Sequence, residues 1–230
     1  MLYENKNFWT VYGSKFISSI LQLENIFLDE KEVLTALETE QYNQKDCKLN
    51  KRIISMCKAW EEIKYYILYL KTNEQNGTIM DIKPQEYAKI YNILDETGSY
   101  NYLFDPNSGT PLLEQLEYLN SKLRNVEDLE EVVDLTLSFS LEHTIENTLG
   151  DMTTYFLGYF IIAIMVFKNF GPFLSLIEKM TKIIELRMNT IQDCAKELKS
   201  NWQTLDSYKK LKEYLIEDSK SFWATYPELT

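Results

Sequence analysis

Apolar residues recur at intervals of three and four along most of this chain. Between Cys47 and Leu70 the series Ile53, Met56, Trp60, Ile63, Ile67 and Leu70 is the clearest amphipathic pattern of the N-terminal half. Upstream, Phe16, Ile20, Leu23 and Phe27 mark a helix from about Phe8 to Leu28. Asp29 then opens a short one whose apolar face is Val33, Leu34 and Leu37. Pro84 suits the first turn of a helix reaching about Glu96, and Thr110-Pro111 provides a cap and first position for another through Leu123. Val126 to Leu137 and Leu141 to Phe167 read as two further helices, with Ser138 or Ser140 as break and cap. Two amphipathic segments, Phe173 to Leu198 and Leu205 to Phe222, complete the series. Asn73 to Lys83, containing Gly77, reads as a loop. So does Gly98 to Pro111, which carries Asp105-Pro106-Asn107-Ser108-Gly109 and has room for a short hairpin on Tyr100 to Phe104.

One segment departs from this alternation. Met152 to Phe167 runs for sixteen residues without a charge. It falls short of the ~20 apolar residues a spanning helix needs, and it contains Thr153, Thr154 and Gly158. A helix buried inside a protein core fits better than a membrane span. Seven glycines and five prolines are few for 230 residues, which favours long helices over a turn-rich sandwich. The expected fold is therefore all-α, a compact multi-helix bundle around a central apolar helix at about 152–167. A single domain of 1–230 is expected, within which an N-terminal helical subdomain, 1–72, packs on a helical core, 84–224.

Charge adds a regional asymmetry. The net charge is −11, yet residues 74–151 hold 16 acidic and 4 basic side chains, while the remainder holds 19 and 20. Such a field disfavours direct nucleic-acid binding, which needs Lys and Arg against phosphate. It suits a cation site or a basic protein partner. Cys47, Cys57 and Cys194 are odd in number and widely spaced, which fits reduced thiols in a cytoplasmic protein. Met1-Leu2-Tyr3-Glu4 lacks the basic and apolar regions of a signal peptide. His143 is the only histidine, so any catalytic triad or histidine-based metal site must use it.

Within the acidic segment, Glu127, Glu131 and Asp134 stand at i, i+4 and i+7, so a helix places them on one face. Carboxylates gathered this way repel one another unless a cation compensates, and Mg²⁺ prefers oxygen ligands. Glu131-Val132-Val133-Asp134, then Thr148-Leu149-Gly150-Asp151 before the apolar helix, then Phe170-Gly171-Pro172 ahead of Lys179, Lys182 and Arg187, resembles a known layout. It is that of the all-α nucleotide pyrophosphohydrolases, the MazG-type and dimeric dUTPase families. The resemblance implies Mg²⁺ held by Glu131, Asp134 and Asp151, a nucleotide substrate whose phosphates meet Lys179, Lys182 and Arg187, and phosphoanhydride hydrolysis by a metal-bound water. A homodimer is compatible with it. Thr148 stands where the pattern has a ligating Glu, and a neutral hydroxyl is a poorer Mg²⁺ ligand. The resemblance thus covers both an active enzyme and a catalytically degenerate descendant.

A second class of function comes from charge alone. A non-enzymatic binding protein could present Glu127, Asp128 and Glu130 to a basic surface of a nuclease or a nucleic-acid-binding complex and act as its inhibitor.

Overall fold

The computed structural model describes residues 1–26, 29–73, 81–173, 177–197 and 202–229. Phe27, Leu28, Gly77 and Leu198, named above, lie outside the described residues. Among the described residues there are nine α-helices and no strand, so the all-α expectation is met. They are α1 Gly13–Leu23, α2 Glu30–Thr39, α3 Lys51–Asn73, α4 Pro84–Leu94, α5 Pro111–Leu123, α6 Leu129–Glu146, α7 Thr153–Phe167, α8 Ile177–Glu197 and α9 Asp206–Thr225.

α7 is the uncharged helix, and it is the centre of the bundle. Phe160, Ile162, Ile164, Met165, Val166 and Phe167 are all buried. By length and composition the stretch Gly150–Phe167 would pass for a membrane span, yet 67% of it is buried within the protein. α3, α4 and α6 pack directly on α7. α8 and α9 form a pair held by α6, and α8 also meets α1. The Tyr159 hydroxyl donates to the Met56 carbonyl at 2.9 Å, so even the polar end of that side chain is satisfied within the core.

An aromatic cluster locks the N-terminal segment to this centre. Phe8 to Tyr12 form a wide π-type turn ahead of α1, and Trp60 from α3 packs against Phe8, Trp9, Phe16 and Tyr159. The Trp60 indole N–H donates to the Trp9 carbonyl at 2.7 Å. Its ring lies so close to the α1 backbone that a Cβ at position 13 would fall 2.4 Å from Nε1, which explains Gly13. Burial pushes the Cys57 thiol up to about 12, so it packs as an inert apolar group.

The two helices expected over Val126 to Leu137 and Leu141 to Phe167 are corrected: the chain divides instead between Glu146 and Thr153. No break occurs at Ser138 or Ser140: α6 runs through both and ends at Asn147, whose φ of 49° is left-handed. The serines stay helical because tertiary partners occupy their hydroxyls. Ser138 pairs with the Tyr208 hydroxyl at 3.0 Å, and Ser140 accepts from Arg187. The connection from Gly98 to Pro111 is a loop as expected, and the room for a hairpin at Tyr100 to Phe104 is taken by a 3₁₀ turn, Asn101–Phe104. Tyr100 then covers Gly150, where φ is +57° and a Cβ would come within 2.9 Å of its ring.

Candidate functional site

α6 separates the three expected magnesium ligands. Glu131 lies in its first turn, exposed, while Asp151 lies in the turn that follows its far end. From Glu131 to Glu146 the helix rises roughly 22 Å, against ligand distances of ~2.1 Å for Mg²⁺. Asp134 has other partners: Lys212 Nζ at 3.0 Å, the Tyr208 hydroxyl at 3.0 Å and the Gln203 amide at 3.3 Å. Among the described residues no group of three or more His, Cys, Asp or Glu side chains is placed to hold a metal. The residues present do not fit a magnesium centre, and no chemical step is assigned to one.

The expected phosphate-binding residues are also dispersed. Lys179 is ion-paired with the buried Asp218. Lys182 pairs with Glu185 at 3.0 Å on the open face of α8. Arg187 turns inward. The expected partner-binding acids stay at the surface: Glu127 is exposed, Asp128 caps α6 by accepting from the Glu131 N–H at 3.0 Å, and Glu130 lies 4.0 Å from Lys220. Acids at this position also suit the positive end of the α6 dipole.

Arg187 leads to the site that the structure does form. Between α1, α6, α7 and α8 lies a cavity of about 320 Å³ with predominantly apolar walls. Its existence follows from local side-chain size. Thr136, Ser140 and Thr144 stand at i, i+4 and i+8 on α6, and Gly158 sits on the facing part of α7. These short side chains leave space where Leu or Phe would close it. Opposite them α8 contributes Met180, Ile183, Arg187 and Ile191. Leu23, Ile184 and Met188, each 39–48% exposed, form the rim.

Among the described residues, Arg187 is the one basic side chain lining this cavity. Its Nη2 donates to Thr144 Oγ1 at 2.5 Å, to Ser140 Oγ at 2.9 Å and, longer, to the Ser140 carbonyl at 3.4 Å. All three acceptors are neutral. Nη1 and Nε have no acceptor among the described residues, and no carboxylate there pairs with the group. Burial lowers its pKa to about 10, with no nearby carboxylate to raise it; it remains a cation at neutral pH.

A second, polar cleft adjoins the first and shares Asp151, Thr154 and Tyr155 with it. Here Arg52 is clamped. Its Nη2 and Nε donate to Glu24 at 2.8 and 3.1 Å, its Nη1 donates to the Leu94 carbonyl at 2.9 Å, and Tyr155 lies under it with the ring centroid 4.7 Å away. His143, on α6 beside Thr144, is buried. Its Nδ1 is 2.9 Å from Thr148 Oγ1, its Nε2 has no partner among the described residues, and burial lowers its pKa to about 4. It does not line either cleft.

Sequence reasoning named Arg187 but missed its setting. The signals were present: small hydroxylated residues every four positions on one helix, a glycine inside an uncharged helix, and an arginine amid Ile183, Ile184, Met188 and Ile191. Compared with known proteins, the chain matches no family model, no curated protein sequence and no solved structure.

Proposed function

We propose that this chain is a binding protein for a small, largely apolar molecule, held between α1, α6, α7 and α8. The cavity carries this reading. Protein interiors are close-packed, and an enclosed apolar void of about 320 Å³ would cost roughly 8 kcal/mol at ~24 cal/mol per Å³. The rim at Leu23, Ile184 and Met188 admits solvent and reduces that cost. An apolar occupant would bury these walls and release the water that otherwise meets them. Nile red, a neutral apolar dye, tests the reading. It is expected to bind one per chain with a blue shift, and Gly158→Leu, which fills the space, is expected to abolish this. No dye binding by the folded wild-type protein would overturn it.

A second reading has its own observation. Glu127, Glu130 and Glu131 are exposed together at the start of α6, where Lys220 approaches Glu130 to 4.0 Å and the charge of Lys168 acts on Glu127. That patch supports docking on a basic protein surface. Reversing Glu127 and Glu130 to Lys is expected to slow capture of such a partner, with an effect that shrinks as salt rises. Equal sensitivity to reversal at Lys209 and Lys210 would count against it.

A further inference from the structure

The cavity specifies more than an apolar occupant. A cation in an apolar wall is held at the cost of lost hydration, and it is retained without penalty only where an anion or a full set of acceptors replaces water. Arg187 has neither. Only its Nη2 is engaged, by the hydroxyls of Ser140 and Thr144 and the Ser140 carbonyl, which leaves Nη1 and Nε able to donate. An anionic oxygen entering the cavity would find these donors free to receive it.

We infer, on the basis of the apolar-ligand reading above, that the occupant is an acyl-chain monocarboxylate whose head group is anchored by Arg187. One guanidinium balances one negative charge. A phosphate monoester would bring nearly two, with no second cation lining the cavity among the described residues and Asp151 at its edge. The net charge of −11 further disfavours a dianion. The tail has apolar walls to meet, including Phe16, Ile161, Ile183 and Leu215. Its length follows from volume: about 320 Å³ accommodates roughly ten groups of water or methylene size at ~30 Å³ each, a chain of roughly eight to twelve carbons. The hydroxyls of Ser140 and Thr144 fix the guanidinium in place, which keeps ordering costs on binding small.

Competition against bound Nile red tests this with three probes of equal chain length: decanoate, decanol and decyl phosphate. Decanoate is expected to displace the dye about 10–100-fold more effectively than decanol, the range for a charge-assisted hydrogen bond in a buried setting. Arg187→Met is expected to erase that preference while still binding dye and decanol. Arg187→Lys, which keeps the charge, should restore part of it. Dye binding with equal displacement by decanoate and decanol would overturn the carboxylate assignment and leave the apolar cavity standing. Stronger displacement by decyl phosphate would likewise overturn it. Failure of the wild-type protein to bind any of the four molecules would overturn both readings.

Discussion

Arg52 and Arg187 occupy neighbouring clefts of the same bundle, and they are built on opposite principles. At Arg52, burial works to lower the pKa, but the hydrogen bonds and charge of Glu24 outweigh it and hold the group above its usual value. At Arg187, burial acts alone and the pKa falls to about 10. Arg52 joins α3 to the end of α1 and to the last carbonyl of α4, so its charge is spent on holding three helices together. Arg187 touches only neutral oxygens of one helix, α6. A half-buried arginine paired with a carboxylate is structural; one without such a partner is free to meet an incoming anion.

The largest effect that would sharpen this contrast is expected at Glu24. Glu24→Ala strands Arg52 and should destabilise the fold by about 2–3 kcal/mol in urea unfolding. Both side chains keep about a fifth of their surface, 18% and 19%, so the effect falls below that of a fully buried pair. His143 supplies an effect of similar size through pH. Its pKa lies near 4 in the fold against an ordinary 6.5, so the unfolded chain binds the extra proton across that window. Full stability is therefore present above pH 6.5, and roughly 2–3 kcal/mol should be lost as pH falls toward 4. His143→Gln should flatten that part of the stability profile; an unchanged slope would move the origin elsewhere. The smallest expected effect is the one of opposite sign. Arg187→Met removes a half-buried cation that has no ion pair and should raise stability by up to about 1 kcal/mol without ligand. If it destabilises as Glu24→Ala does, the two arginines are alike and the contrast is broken.

Much of the fold was legible because local chemistry and burial agree. Pro84 and Thr110-Pro111 start α4 and α5 where they should, and the uncharged run from Met152 forms the buried centre. The break at Ser138 or Ser140 was misread because a serine's helix tolerance depends on its partner, here Tyr208 or Arg187, which lie far along the chain. The site was less legible for the same reason. Spacing shows that Glu131 and Asp134 occupy adjacent turns, but not that Lys212 and Tyr208 already engage Asp134. Nor does it show that α6 sets Asp151 at the opposite end from Glu131. The resemblance to nucleotide pyrophosphohydrolases drew Arg187 toward phosphate, whereas its surroundings of Ile183, Met188 and Ile191 describe an apolar wall.

The position of α7 in the bundle also sets an order of events during synthesis. α3, α4 and α6, which cover most of it, precede it on the ribosome; α8 and α9 follow. Elongation runs at about 5–20 residues per second, so the stretch from Phe167 to the end of α9 takes roughly 3–12 s to appear. For that interval the nascent chain holds its most apolar helix with the side that faces the cavity still uncovered. The face that lines the cavity in the finished protein is thus the one most open to chaperones and to aggregation while the chain is being made.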